Sequence, residues 1–205
     1  MQAWYMPGEV TDQRAPNKLE PNEPVDLDTL ASYGVLYWKL SGAADDEELL
    51  KIKTERGYDY SDNITCSPEK LPNYEEKIKS FFEEHIHTDE EIRYIMDGSG
   101  YFDIRDKDDR WIRMEVTKGD LIILPEGIYH RFTLDSNDHI QALRLFKGVP
   151  VWTPHNRDAD GVPEMPSREK YVTEFLQPLL ASKRPRGAED ADTATAAAAA
   201  AVASA

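Results

Sequence analysis

The segment HIHTDEE at residues 85–91 is rich in side chains that bind metal ions. In extended backbone successive side chains alternate between two faces, so His85 and His87 point to the same face. Glu91 stays in phase with them if the extended conformation continues. Two imidazoles and a carboxylate on one wall favour a metal site. Histidines beside acids are also common on solvated surfaces, so this segment alone leaves both interpretations open.

A second segment, GDLIILPEGIYH at residues 119–130, provides another candidate ligand. An apolar strand follows the glycine, and Pro125 with Gly127 predicts a tight turn that presents His130 at the start of the next strand. His130 could instead be a core histidine with satisfied hydrogen bonds. The combination of the two segments favours a site of three imidazoles and one carboxylate. Without thiolate ligands, such a site favours Fe(II), Ni(II), Mn or Co, with two positions of an octahedral ion open.

Strands must position these side chains, because between residues 85 and 146 the apolar pattern has a period of two. The runs EIRYIM and YFDIRD are separated by DGSG at residues 97–100, which predicts a turn. The further runs are WIRMEV, DLIILP, RFTL and HIQALRLF. Several short strands separated by Gly, Asp and Pro predict an all-β sandwich or barrel.

Helices are predicted mainly before this region, so the fold class is α+β dominated by strands. Residues 35–40 (VLYWKL) predict a strand, and residues 45–56 predict a helix capped by Asp45 with Glu48 three residues later. A second helix is predicted to begin at Asn73. Its apolar face would carry Tyr74, Ile78, Phe81 and Phe82. We predict one catalytic domain over residues 1–182.

The composition argues against several classes of partner. A formal net charge of -15 disfavours binding to nucleic acid or to anionic membrane surfaces. The chain has no apolar run long enough to span a membrane and no secretory signal at its start. Cys66 is the only cysteine, which rules out an intrachain disulfide. These features predict a soluble cytoplasmic protein, with a monomer as the simplest assembly.

The last residues differ in composition from the rest. Residues 183–205 have few large apolar side chains and an alanine run, so we expect a disordered tail. The short basic sequence KRPR at its start is also compatible with nuclear targeting.

The two histidine segments resemble the paired motifs of the cupin superfamily. His85, His87, Glu91 and Gly98 have the spacing of the first motif, and Gly119, Pro125, Gly127 and His130 have that of the second. Two positions depart from the motifs, since Lys79 replaces the leading glycine of the first and Leu134 replaces the final asparagine of the second. Both departures lie outside the ligand set. The resemblance implies a cupin-type β-barrel or jelly roll.

Over roughly residues 1–180 the chain more closely resembles the acireductone dioxygenases, metalloenzymes of methionine salvage. The resemblance is carried by EHIHTDEEIRYIMDGSGYFDIRD, GDLIILPEGIYHRF and RLFKGVPVWTPHNR. It implies that the enediol 1,2-dihydroxy-3-keto-5-methylthiopentene reacts with O₂ at one Fe(II) or Ni(II) per chain. Iron would give formate and the 2-keto acid precursor of methionine, whereas nickel would give formate, carbon monoxide and methylthiopropionate.

Further site residues follow from position and from this resemblance. Arg93 lies two residues after Glu91, on the same strand face, and is the candidate catalytic cation that holds the anionic substrate. Pairing with a surface acid is the competing explanation for it. Arg144 is a second candidate for the same role. The candidates for an apolar pocket around the methylthio group are Phe81, Ile95, Phe102, Phe132 and Ala142, all of which also suit a barrel core.

Two other functions fit part of this pattern. Another cupin enzyme, such as a decarboxylase or a flavonol-type dioxygenase, could use the same three histidines and glutamate. A non-catalytic cupin could bind a ligand or partner, although all four metal ligands are present here. His139 and His155 have no ligand partner at a useful spacing, and we interpret them as structural or surface residues. Cys66 has no histidine near it in sequence to suggest a nucleophile, and we interpret it as an ordinary small residue.

Overall fold

The computed structural model describes residues 1–182, so the predicted disordered tail and its KRPR sequence lie outside the described residues. Strands dominate this part of the chain. They are β1 (Gln2–Tyr5), β2 (Leu36–Lys39), β3 (Tyr60–Cys66), β4 (His85–Ile86), β5 (Glu91–Arg105), β6 (Trp111–Thr117), β7 (Asp120–Leu124), β8 (His130–Leu134), β9 (Ile140–Phe146) and β10 (His155–Asn156). The helices are α1 (Leu27–Ser32), α2 (Glu47–Arg56), α3 (Tyr74–Phe82), α4 (Pro166–Tyr171) and α5 (Gln177–Ser182), with a π-helical turn at Val172–Leu176.

Strand β5 belongs to two antiparallel sheets and joins them into a barrel. One sheet has the order β1-β6-β5-β8-β4-β10, and the other has the order β2-β7-β5-β9-β3. The first half of β5 pairs with β7 and β9, and the second half pairs with β6 and β8. The predicted strand-dominated barrel is therefore confirmed.

The predicted turn at residues 97–100 is wrong, because β5 runs through it without interruption. A bulge lies between Ile95 and Asp97 in the pairing with β9. Gly98 follows it with φ 74°, and a Cβ atom there would lie 2.1 Å from the carbonyl oxygen of His139. The local glycine pattern resembles a turn, whereas the strand uses it to bend from one sheet into the other.

The bulge also reverses which face of β5 is inside the barrel. Before it, Ile92 and Tyr94 pack on the outer side against helix α2, so Glu91, Arg93 and Ile95 face inward. After it, Phe102 and Ile104 join the inner core. One extra residue in a strand shifts every later side chain to the opposite face. Odd-numbered residues therefore face the barrel interior before the bulge, and even-numbered residues face it after the bulge.

The helix ends differ in detail from those predicted. Helix α2 is capped by Asp46 and not Asp45, since the Asp46 carboxylate accepts hydrogen bonds from the backbone N–H groups of Glu48 and Leu49. Asn73 precedes α3 in a left-handed conformation and makes no side-chain cap. The helical segment after residue 166 was not predicted. None of the described helices is long and apolar enough to cross a membrane.

Candidate metal centre

Three of the four predicted ligands lie in strands of the two sheets, and His87 lies in the turn between β4 and β5. His85 in β4 pairs with His130 at the start of β8, which places two imidazoles side by side. Strand β4 ends at Ile86, so the extended conformation that would keep Glu91 in phase with the histidines does not continue. The chain turns through residues 87–90 and Glu91 begins β5. Glu91 reaches the histidines across the barrel interior.

The ligand atoms nevertheless converge. One nitrogen or oxygen atom from each of His85, His87, Glu91 and His130 lies within 4.8 Å of all the others. The ring centroids of His85 and His130 are 4.4 Å apart, and that of His87 lies 5.0 Å from the first and 5.3 Å from the second. Three of the four residues are buried, and His87 is partly buried. The spacing suits one ion bound by all four.

Backbone carbonyl groups orient all three imidazoles. The Nδ1 atom of His85 lies 2.7 Å from the carbonyl oxygen of Glu83. The Nδ1 atom of His87 lies 2.9 Å from the carbonyl oxygen of Thr153. The Nδ1 atom of His130 lies 2.9 Å from the carbonyl oxygen of Ile128. A carbonyl oxygen only accepts, so each Nδ1 carries the proton and donates it. In the neutral form of a ring with this tautomer, the Nε2 atom keeps its lone pair for a metal.

The electrostatics of the cluster also fit a bound cation. Burial and the neighbouring His130 ring lower the pKa of His85 to about 3, so its ring is neutral at physiological pH. Burial acts to raise the pKa of Glu91, but the charge of Arg93 and the imidazole of His130 hold it well below its usual value. Oε2 of the ionised Glu91 lies 2.9 Å from Nε2 of His130. Two acceptors at this distance need a proton or a metal ion to hold them together.

Two arginines, one on β5 and one on β9, line the cavity beside the cluster. Arg93 and Arg144 are direct partners across β5 and β9, an arrangement that repels unless acids compensate it. Arg93 Nη2 lies 3.1 Å from Glu91 Oε1. Arg144 donates Nε and Nη2 to the two carboxylate oxygens of Asp62, at 2.7 and 2.6 Å. The ring of Trp152 stacks on both guanidinium groups, at 4.3 Å from Arg144 and 5.4 Å from Arg93.

The cluster opens into a cavity of about 330 Å³. Every residue that the sequence suggested for substrate lines this cavity: Phe81, Arg93, Ile95, Phe102, Phe132, Ala142 and Arg144. The ring of Phe132 packs against those of Phe81 and Phe102, with centroids 6.3 and 4.8 Å away. One end of the cavity is therefore charged, and its wall is largely apolar. Cavities of this size enclose a small organic molecule.

Sequence reasoning missed several lining residues: Ile64, Cys66, Lys77, Ser80, Ile140, Trp152 and Pro154. Lys77 and Ser80 lie at helical spacing from Phe81 in α3, and this spacing could have indicated that they share its face. Cys66 was interpreted as an ordinary small residue, and it is buried in the cavity wall. His139 bonds Asp97 near the surface, and His155 pairs β10 with β4, so neither belongs to the cluster.

The barrel and its interior donor set define a cupin-type metal-binding protein. The model of the ARD/ARD′ family matches residues 2–154, and this chain belongs to that family. It is 60% identical over 172 residues to an acireductone dioxygenase of Branchiostoma floridae, covering 84% of this chain and 96% of that protein. It is 58% identical over 184 residues to acireductone dioxygenase 2 of Vitis vinifera, covering 89% and 91%.

A solved structure extends the comparison to the fold. The acireductone dioxygenase from Bacillus anthracis, determined with a cadmium ion in its active centre, aligns with a TM-score of 0.56 at 30% sequence identity. The alignment covers 66% of this chain and 93% of the bacterial one. The family and the fold are thus supported by separate comparisons.

Proposed function

We propose that this chain is a metal-dependent dioxygenase of methionine salvage, which reacts 1,2-dihydroxy-3-keto-5-methylthiopentene with O₂. The observation that carries this proposal is the convergence of His85, His87, Glu91 and His130 beside the Arg93 guanidinium in one cavity. The identity to relatives named acireductone dioxygenase supports the choice of substrate.

The protein side chains would prepare an anionic enediol for oxidation. A divalent metal bound by the four ligands would act as a Lewis acid and template for the enediolate and O₂. Arg93 offers the anion a guanidinium at the same end of the cavity, where low polarity strengthens the attraction. The carbonyl contacts to Nδ1 fix the three imidazoles before substrate arrives, which is the usual role of groups behind a metal ligand.

The apolar wall suits the methylthio end of the substrate. Phe81, Phe102 and Phe132 form a cluster of aromatic rings, with Ile95 and Ala142 beside it. Burial of an apolar chain there keeps bulk water away from the charged end. Arg144 is the second cation that we propose for the substrate. Asp62 and Trp152 hold its guanidinium in one orientation.

The metal determines the products in this proposal, with one Fe(II) or Ni(II) per chain. We expect iron-loaded protein to release formate and 4-methylthio-2-oxobutanoate. Nickel-loaded protein should release formate, carbon monoxide and 3-methylthiopropionate. The test is product analysis of separately loaded preparations under O₂, with metal-free protein as the control for spontaneous oxidation. Absence of enzymatic products from both loaded forms would overturn the proposal.

The domain and assembly are part of the same proposal. We infer that residues 1–182 form the complete catalytic domain of a cytoplasmic monomer. Removal of residues 183–205 should then leave the turnover rate and the metal content unchanged. A truncated protein that lost either property would contradict this domain boundary.

A further inference from the structure

Three cationic side chains line the cavity, and two of them are paired with acids. Arg93 contacts Glu91 at 3.1 Å, and Arg144 contacts Asp62 at 2.6 Å. Lys77 is the third, and it forms no ion pair with any residue in the described range 1–182. The cavity therefore includes one cation whose charge is not offset by a carboxylate in contact with it.

Helix α3 itself offers Lys77 no acidic partner. Side chains three and four residues apart are neighbours on a helix. For Lys77 these neighbours are Asn73, Tyr74, Ser80 and Phe81, none of which is acidic. Lys79 lies on the same helix but has acids at these spacings on both sides. They are Glu75, Glu76 and Glu83.

Lys77 belongs to the face of α3 that forms the cavity wall. It precedes Phe81 by one helical turn, and Ser80 also lines the cavity. Its charge acts inside the cavity as well. Burial raises the pKa of the Cys66 thiol, and the positive charges of Arg93, Arg144 and Lys77 oppose that rise. The ammonium group is thus close enough to the lining to affect an anion bound there.

We propose that Lys77 attracts the anionic substrate into the cavity. This inference rests on the proposed function, because it assumes an enediol whose conjugation with a ketone makes it acidic. A chain with a net charge of -15 repels such an anion at long range. An unpaired lysine in the cavity lining provides a local attraction that the two paired arginines supply less effectively.

The test compares four proteins: the wild type, Lys77→Met, Lys77→Arg and Lys79→Met. Lys79→Met is the matched control, since it removes the same charge from the same helix outside the cavity lining. At low salt we expect Lys77→Met to lower kcat/KM for acireductone by roughly 3- to 10-fold. This is less than the effect of a whole charged surface, because only one charge is removed. The loss should appear as a higher KM, with kcat changed by no more than about 2-fold, because Lys77 acts on substrate binding and not on the chemical step.

High salt should remove the difference between the variant and the wild type, and an arginine at position 77 should avoid the defect. Near 1 M salt the screening length is about 3 Å, so the difference between wild type and Lys77→Met should largely disappear. Lys77→Arg should retain the wild-type KM. An equal loss in Lys79→Met, or a loss independent of salt, would overturn the inference while leaving the proposed function intact. A wild-type protein that does not turn over acireductone would instead overturn the proposed function.

Discussion

Two groups of buried charges lie on opposite sides of the same barrel wall. The first, the metal cluster, consists of His85, His87, Glu91 and His130. The second, the Asp103 cluster, consists of Asp103, Arg113 and Arg131. His130 and Arg131 are adjacent in β8, so their side chains point to opposite faces of the sheet.

The Asp103 cluster is closed. Arg113 donates to both carboxylate oxygens of Asp103, at 2.7 and 2.8 Å, and Arg131 donates to one of them at 2.9 Å. Arg113 also donates to the carbonyl oxygens of Gln13 and Ala15, so the N-terminal segment covers it. The side chains of Asp103 and Arg113 have almost no exposed surface. The Asp103 carboxylate is therefore saturated by protein donors.

The metal cluster is equally polar but open. Its Nε2 atoms and its carboxylate converge on a point in the cavity, whereas its Nδ1 atoms are already used. Both clusters contain strongly interacting buried charges, so burial of charge does not identify a functional site. The distinguishing feature is a set of nitrogen and oxygen atoms that face a cavity in a geometry suited to binding a metal ion.

The largest expected effect is the loss of a ligand from the open cluster. His130→Ala should reduce metal affinity by more than the roughly 10- to 100-fold typical of a lost outer-shell contact, and should reduce turnover to background. Metal content after dialysis measures this directly. His139→Ala is the matched control, because His139 bonds Asp97 outside the cluster. Full metal occupancy in His130→Ala would show that the ligand assignment is wrong.

Opening the closed cluster should affect stability and spare the metal. Arg113→Met leaves the Asp103 carboxylate without its bidentate partner, and breaking a buried pair in this way costs about 3–5 kcal/mol. Urea unfolding gives the free energy. Arg14→Met is the control, since Arg14 pairs with Asp138 where both side chains are partly exposed, and it should cost less than about 1 kcal/mol. Comparable losses in both variants would remove the distinction between the clusters.

Metal removal should have the smallest effect on stability. Ions bound only by the folded state stabilise it by about 2.7 kcal/mol when free metal is one hundred times Kd. The difference between chelated and metal-loaded protein in thermal unfolding measures this contribution. It should persist in Arg113→Met and vanish in His130→Ala. Stabilisation by metal that is the same in both variants would mean that the ion binds outside the metal cluster.

The sequence predicted the elements that depend on local pattern. The period of two identified most strands, and Pro125 with Gly127 correctly placed His130 at the start of β8. The turn assigned to residues 97–100 failed because the bend in β5 depends on pairing with β9, far away in the chain. The same glycine suits both structures. Only the close approach of the His139 carbonyl decides between them.

The identities of the site residues were predictable from the sequence, and their arrangement in space was less so. The resemblance to a family supplied Ile95 and Phe102, which a strict alternation along β5 would have placed on opposite faces. The bulge brings both to the cavity. Thr153 and Trp152 could not be found locally, since they act through contacts with His87 and with two arginines on other strands.

The most direct test of the metal cluster as a catalytic site is the rate of O₂ consumption as a function of metal content. Metal-free protein is titrated with Fe(II) or Ni(II) under exclusion of air, and each sample is then mixed with acireductone in oxygenated buffer. We predict a rate that rises in proportion to bound metal and reaches its maximum at one ion per chain. Fully loaded protein that consumes O₂ no faster than metal-free protein would contradict the account.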